Sequence, residues 1–316
     1  MAGLALAWHS LEQGAMPTLF DPCGVGQKAS GAAAGLLHPY GGAGAKKSKF
    51  CDEAIRDALE LAEVAKMALG EPVIQKTGLL RLAVLDAQKK DFQKVVDGKE
   101  VFWQDAQTCQ NMAPAITPHS GIWIPGAWQI DTPKYLKGLW EACRMRGATL
   151  VERRIKASSE LEGFDRVIFA TGAQTREIAE LENLSIGRLK GQILEFSGDL
   201  PLSFPVNSRA YLLPGKTFIL GATFEREFTC ETPLVDQARK LLLPKGREIL
   251  PNLEDYQIVG CRAGIRATTP DKMPLAKQVG EKSWILTGLG SKGLLYHALF
   301  AKNLTKTSRA IYHLSS

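Results

Sequence analysis

Apolar and polar positions along this chain follow two periods. Between Phe50 and Gly70 the apolar residues Ala54, Ala58, Leu61, Ala62, Ala65 and Leu69 return at three- and four-residue spacing, which predicts a helix with one apolar face. Met1 to His9 carries a shorter helical pattern, closed by a turn at Gly14 and followed by the strand-like run Thr18-Leu19-Phe20. Asp131 or Thr132 caps a further helix with Pro133 in its first turn, running to Arg146 and ended by Gly147. Thr232–Ile249 and the segment opened by Gly288 to Gly293 also read as helices, and Asp86 to Gly98 as a more polar helix and loop. Short apolar runs predict strands at Thr77–Val84, Ala148–Ile155, Asp165–Ala170, Gly191–Phe196, Tyr211–Leu213, Thr217–Ala222, Ile258–Arg266 and Ser283–Leu286. Glycine and proline punctuate the middle strands in an antiparallel manner. The pattern therefore predicts a parallel α/β part interrupted twice by a segment richer in antiparallel strands.

The first twenty residues sharpen that expectation. A helix containing Gly3, a short strand and then Asp21, about 18 residues on, match the later part of a dinucleotide-binding βαβ unit. On this reading Met1-Ala2-Gly3 ends a G-x-G-x-x-G run whose first strand and first two glycines are missing. Either the start is placed too late or the nucleotide site is damaged. Small residues crowd Ala29-Ser30-Gly31-Ala32-Ala33-Ala34-Gly35-Leu36, where something must approach the backbone closely.

Composition narrows the remaining classes. With 316 residues and 45% hydrophobic content, the chain can bury a substantial core. The formal charge of +6 arises from short clusters such as Lys46-Lys47-Ser48-Lys49, without a long basic tail or a nucleic-acid-binding motif. Cys23, Cys51, Cys109, Cys143, Cys230 and Cys261 form no CxxC, so no metal site is expected. The absence of a long apolar run leads to the expectation of no membrane span and a reducing, cytoplasmic setting.

Motifs distributed along the chain resemble one family. The run Gly260-Cys261-Arg262-Ala263-Gly264-Ile265-Arg266-Ala267-Thr268-Thr269-Pro270-Asp271 is similar to FAD-dependent oxidoreductases of the D-amino-acid oxidase family, which includes glycine and sarcosine oxidases. Ala29-Ser30-Gly31 with Gly35-Leu36, Thr77-Gly78-Leu79-Leu80-Arg81, Ala170-Thr171-Gly172-Ala173 and Gly288 to Leu294 support it in family order. Tyr211-Leu212-Leu213-Pro214, Leu220-Gly221-Ala222-Thr223-Phe224 and Gly288-Leu289-Gly290-Ser291-Lys292-Gly293-Leu294 resemble one branch in particular. That branch is the oxidoreductase part of the bifunctional enzyme that matures 5-methylaminomethyl-2-thiouridine in tRNA. It usually has arginine where Lys292 stands, and Leu289 replaces a histidine common in amine-oxidising relatives.

The resemblance implies a Rossmann-like FAD-binding domain, its first strand missing, interleaved with an α+β substrate domain built on a largely antiparallel sheet. The expected division is 1–48, 145–182 and 256–316 for FAD, and 49–144 and 183–255 for substrate. It implies FAD contacts from Gly3, Asp21, Ser30, Gly31, Gly35, Leu36, Ile155, Thr171, Gly172, Gly288, Gly290, Ser291, Lys292 and Gly293. Arg266 would grip a substrate carboxylate, Tyr211 would line the pocket, and Lys292 would add positive charge near the flavin. His38 and His297 are expected to be structural, since this family's chemistry has no obligatory protein base. The implied reaction is oxidation of the C–N bond of a carboxylate-bearing amine by hydride transfer to flavin. The alternatives are the same reaction on carboxymethylaminomethyl uridine in tRNA, or a truncated, non-enzymatic relative acting as a structural or partner protein.

Overall fold

A computed structural model describes residues 1–313, so the last three residues of the expected segment 256–316 lie outside the described residues. Two regions of structure meet along one seam. In the first, Thr18–Phe20 pairs parallel with Thr149–Val151, and Val167–Phe169 pairs parallel with Ser283–Thr287. Leu275–Gln278 then adds antiparallel to Ser283–Thr287. The helices Ala2–Glu12, Cys51–Leu69, Thr132–Met145 and Gly293–His313 bring their apolar stripes into one core with Trp284 and Leu286 of this sheet.

The second region is an eight-stranded sheet. Its order is Ile258–Thr268, Gly187–Phe196, Phe218–Gly221, Tyr211–Leu213, Val206–Asn207, Leu79–Leu82, Gly121–Ile124 and Phe102–Gln104. All neighbours are antiparallel except Val206–Asn207 beside Leu79–Leu82. Ala238 and Leu242 of the helix Val235–Arg247 close one face of this sheet against Leu194, Phe196, Phe218 and Leu220.

The helices end where the sequence places their signals. Asp131 accepts from the Lys134 N–H at 3.1 Å with Pro133 in the first turn, and Gly70 and Gly147 adopt the left-handed conformation that L side chains rarely take. The expected strand Ala148–Ile155 is shorter, Thr149–Val151, because Arg153 and Arg154 turn outward to ion-pair with Glu160 and Glu177. Leu275–Gln278, left unassigned by the sequence pattern, is a strand whose half-polar, four-residue run gives no period-2 signal of its own. Cys51–Leu69 and Thr132–Met145, expected mainly in the substrate part, share a core with the first and last helices. An amphipathic stripe says that a helix is covered, but not by which sheet.

Helices Cys51–Leu69 and Thr132–Met145 cross at Gly138, where an added Cβ would run into the Ala65 carbonyl. Gly138→Val is expected to cost about 1–3 kcal/mol by overpacking. Gly126→Ala, whose Cβ meets nothing within 4 Å, should stay within about 0.5 kcal/mol of the parent. Urea unfolding of both variants checks the difference.

Candidate functional site

The site is set by the longest strand pairing in the molecule. Gly187–Phe196 runs antiparallel to Ile258–Thr268 with Leu189 opposite Arg266, Gly191 opposite Gly264 and Ile193 opposite Arg262. Side chains alternate across a strand, so Gly191 and Ile193 face the seam while Lys190 and Gln192 point to the far side. Gly191 has no Cβ, and a Cβ there would run into the Arg266 guanidinium, which lies across the strand. The same device serves Tyr211. Its register partner is Gly221, where a Cβ would stand 2.6 Å from the Tyr211 hydroxyl.

A cleft of about 280 Å³ opens between this sheet and the ends of the parallel strands. Its walls come from the 29–36 loop, the strand end at Ala170 and Gly172, Leu286 to Ser291, and the start of the last helix at Gly293. The small-residue loop is drawn onto the sheet: a Cβ on Gly264 would meet the Ala29 Cα at 2.7 Å. Arg262 donates to the Gly31 carbonyl at 3.0 Å and ion-pairs with Glu195 at 3.0 Å.

Arg266 dominates the cleft electrostatically. Its Nη1 is buried without a hydrogen-bond partner, and among the described residues it forms no ion pair. Burial lowers its pKa, opposed by the nearby Tyr211. Its guanidinium carbon lies 4.9 Å from the centre of the Phe224 ring. Burial pushes the Tyr211 phenol up to about 12, against the pull of Arg266 and then Arg262, so it remains a neutral donor near neutral pH. The described cleft lining contains no carboxylate and no histidine. An unpaired guanidinium in such surroundings is a receptor for an anion, and its planar fork suits a carboxylate.

The glycines fall into two groups. At Gly31 and Gly35 a Cβ would strike the Gly26 and Ile130 carbonyls, so these two are required by packing of the loop against protein backbone. At Gly172 and Gly293 a Cβ meets nothing within 4 Å, and at Gly290 the nearest atom is 3.6 Å away. Gly172 and Gly290 also have φ of +56° and +55°; Gly288, at φ +73°, is instead tightly packed, since a Cβ there would stand 2.5 Å from the Thr269 methyl. This open, backbone-lined wall, ending at a helix start with N–H groups that lack intrahelical acceptors, fits a large flat ligand carrying phosphate and carbonyl oxygens. The residues present therefore fit FAD.

Of the residues singled out from sequence, Ser30, Gly35, Leu36, Gly172, Tyr211, Arg266, Gly288, Gly290, Ser291 and Gly293 line the cleft. Gly31 and Thr171 stand one residue away from lining positions. Gly3 lies on the first helix with Ala170 at 3.7 Å from its would-be Cβ. Asp21 follows the strand Thr18–Phe20 and accepts from the Cys23 N–H at 2.9 Å; burial lowers the Met1 amine to about 6, opposed by the Asp21 charge. Ile155 lies in the coil beyond Thr149–Val151, away from the cleft lining. Lys292 is not among the lining residues: its ammonium stands 5.5 Å from the Tyr296 ring centre, and burial, then Lys272, lowers its pKa. Gly191 was not singled out, and Gly221 and Phe224 entered with the run 220–224 that resembles one branch, with no site role given to them. The two glycines carry a signal visible only once strand register is known.

His297 has a structural position beside the cleft. Its Nδ1 lies 3.0 Å from the Gly293 carbonyl and its Nε2 2.5 Å from the Tyr135 hydroxyl, tying the last helix to Thr132–Met145. Burial lowers its pKa to about 3, and burial with Arg81 does the same to His38. Both are neutral when folded, so below the ordinary histidine value the unfolded chain binds protons that the folded one does not. Stability is expected to fall as the pH drops from 6.5 to 5, by up to about 1.4 kcal/mol per pH unit for each histidine. His297→Leu should make that slope shallower in urea unfolding across this range, where most carboxylates stay ionised.

Comparison with known proteins gives the following likenesses. A family model described as FAD dependent oxidoreductase matches residues 1–307. The tRNA 5-methylaminomethyl-2-thiouridine biosynthesis bifunctional protein of Hydrogenovibrio crunogenus is 27% identical over 320 residues, covering 91% of this chain and 47% of that one. The chain thus spans about half the length of that bifunctional relative. Glycine oxidase of Geobacillus kaustophilus is 24% identical over 331 residues, covering 91% of this chain and 84% of that one. The crystal structure of a glycine oxidase from Geobacillus kaustophilus superposes with a TM-score of 0.85 at 21% identity, covering 96% of this chain and 92% of that one. Iminodiacetate oxidase from Chelativorans sp. BNC1 gives 0.79 at 20% identity, covering 97% and 92%. These superpositions establish the fold as a Rossmann-like region interleaved with a mixed α+β region.

Proposed function

The chain belongs to the FAD-dependent oxidoreductase family, and on that premise we propose that it oxidises the C–N bond of a small amine bearing a carboxylate, an amino acid or N-substituted glycine. One observation carries the reading: a guanidinium without an anionic partner, set across Gly191 in a cleft whose other wall is open glycine backbone. Gly172, Gly288, Gly290, Ser291 and Gly293 would hold the flavin side of FAD, with Ser30, Gly35 and Leu36 along its length. When bound, FAD supplies the two-electron acceptor for the hydride leaving the carbon next to nitrogen.

The chain's own residues bind, orient and desolvate. Arg266 takes the carboxylate in two parallel bonds and so fixes which C–H faces the flavin. With no carboxylate or histidine lining the described cleft, no side chain there favours an ammonium, and the Arg266 charge opposes one. The amine therefore enters neutral and needs no protein base. Tyr211, held protonated, donates without withdrawing a proton. In this reading 1–48, 145–182 and 256–316 serve FAD and 49–144 and 183–255 serve substrate, with the helices Cys51–Leu69 and Thr132–Met145 packing on the FAD side.

A second reading is the same oxidation on carboxymethylaminomethyl uridine in tRNA. Lys272, which lowers the pKa of Lys292 at the helix start beside the cleft, favours it by concentrating positive charge there. Among the described residues no helix is long and apolar enough to cross a membrane, and no group of three or more His, Cys, Asp or Glu is placed to hold a metal. The six unpaired cysteines accord with a reducing cytoplasmic setting.

The first test is the visible spectrum after desalting, where retained flavin at about one per chain is expected. Anaerobic addition of glycine, sarcosine, iminodiacetate and undermodified tRNA should then bleach the flavin with one of them. Loss of flavin together with no bleaching sinks the reading and leaves a fold without its chemistry. With the substrate so found, Arg266→Ala should lower kcat/KM by roughly 30- to 1,000-fold, about 2–4 kcal/mol. Arg266→Lys should recover little of it, because an ammonium cannot reproduce the fork. The rate should also rise with pH until the substrate amine is neutral.

A further inference from the structure

Phe224 is the one residue among the described exposed large hydrophobics that also lines the cleft, and the residue remains 66% exposed. One face of its ring receives the Arg266 guanidinium at 4.9 Å. Its neighbours are oppositely disposed, with Thr223 1% and Glu225 8% exposed. One ring face is therefore taken by Arg266 while the rest of the ring stays open at the cleft, next to the guanidinium.

The ring's position is not left to the loop. Behind the sheet, the Gln192 N–H donates to the Thr223 hydroxyl at 2.8 Å, and its side-chain amide donates to Glu225 at 3.0 Å. The Thr223 hydroxyl donates to the same Glu225 oxygen. Lys190 and Glu225 exchange backbone bonds of 3.0 Å each. The fully buried Lys190 ammonium donates to the Cys230 and Thr232 carbonyls at 2.8 and 2.9 Å, and Gln192 accepts from the Leu234 N–H at 2.6 Å. Both ends of the segment from Thr223 to Leu234 are thus stapled to one strand, the strand that carries Gly191 beneath Arg266.

We propose that Phe224 is a specificity-determining residue: it receives an apolar or aromatic group of the substrate that projects from the Arg266-bound carboxylate toward the cleft mouth, and Glu225 is its positioning residue. The substrate class this selects is an amino acid or N-substituted glycine with a bulky, planar substituent, rather than glycine itself. The inference rests on the reading of Arg266 as the carboxylate site. Arg266 covers one ring face and the substituent covers the other, so the two contacts select carboxylate and substituent together.

The test uses FAD-loaded protein and carboxylates that need no turnover. Dissociation constants of acetate and phenylacetate are measured by calorimetry on the parent, Phe224→Ala, Glu225→Ala and Glu225→Gln. The parent should favour phenylacetate by roughly tenfold or more, and Phe224→Ala should remove most of that preference. Glu225→Ala should reproduce the loss and Glu225→Gln restore it, since the amide keeps an acceptor for Thr223 and Gln192. A merely structural role would change stability, or both affinities together, and leave their ratio alone. Phe224 is exposed, so its variant reports on the ratio even if Glu225→Ala does not fold. An unchanged ratio in Phe224→Ala overturns the proposal while leaving the oxidase reading intact. The expected ratios without oxidation of any amine would instead overturn that reading and leave the assigned subsite standing. Binding of neither carboxylate overturns both.

Discussion

A guanidinium drawn out of water without a counter-charge is the constraint around which this molecule is arranged. Leaving Arg266 unpaired costs free energy that the rest of the fold must supply, since a buried donor forfeits its hydration. The arginine is held nonetheless, because its strand pairs over its whole length with Gly187–Phe196 and because Gly191 removes the atom that would displace it. Such an arrangement persists where an incoming anion restores the missing bonds.

Around that point the molecule divides labour between packing and vacancy of side chain. Gly31, Gly35 and Gly264 are glycines because protein backbone presses on them, and they draw the small-residue loop onto the sheet. Gly172, Gly290 and Gly293 are glycines on a wall with free space before it. The first group gives the cleft its rigidity and the second gives it room. The helices of the first core supply the platform, with Tyr135 and His297 joining two of them beside Gly293.

The far side of the substrate sheet explains how an exposed loop can be accurate. Lys190 and Gln192 satisfy backbone and side-chain groups of the segment Thr223–Leu234, so the cleft-facing Phe224 is located by buried bonds rather than by its own contacts. Buried polar bonds of this kind specify geometry, because each broken bond leaves an unsatisfied partner; Glu225 uses Oε1 for both of its side-chain bonds, and its buried Oε2 has no partner among the described residues. The same strand therefore positions Arg266 on one face and Phe224 through the other.

Local signals determined much of what was read from the chain. The capped helix at Asp131, the helix ended by Gly70, the central strands and the small-residue loop all follow from spacing and turn chemistry that act within a few residues. Arg266, Tyr211 and the Gly288–Gly293 turn were legible because they sit in ordered runs that resemble a family. Tertiary structure alone decided that Gly191 lies under Arg266 and Gly221 under Tyr211, because register brings together residues 75 and 10 positions apart in sequence. It also decided that Phe224 faces the cleft, that Lys292 turns to Tyr296, and that Cys51–Leu69 packs with the first and last helices. The physical reason is the same in each case: periodicity records that a face is covered, whereas the partner that covers it is chosen by long-range packing.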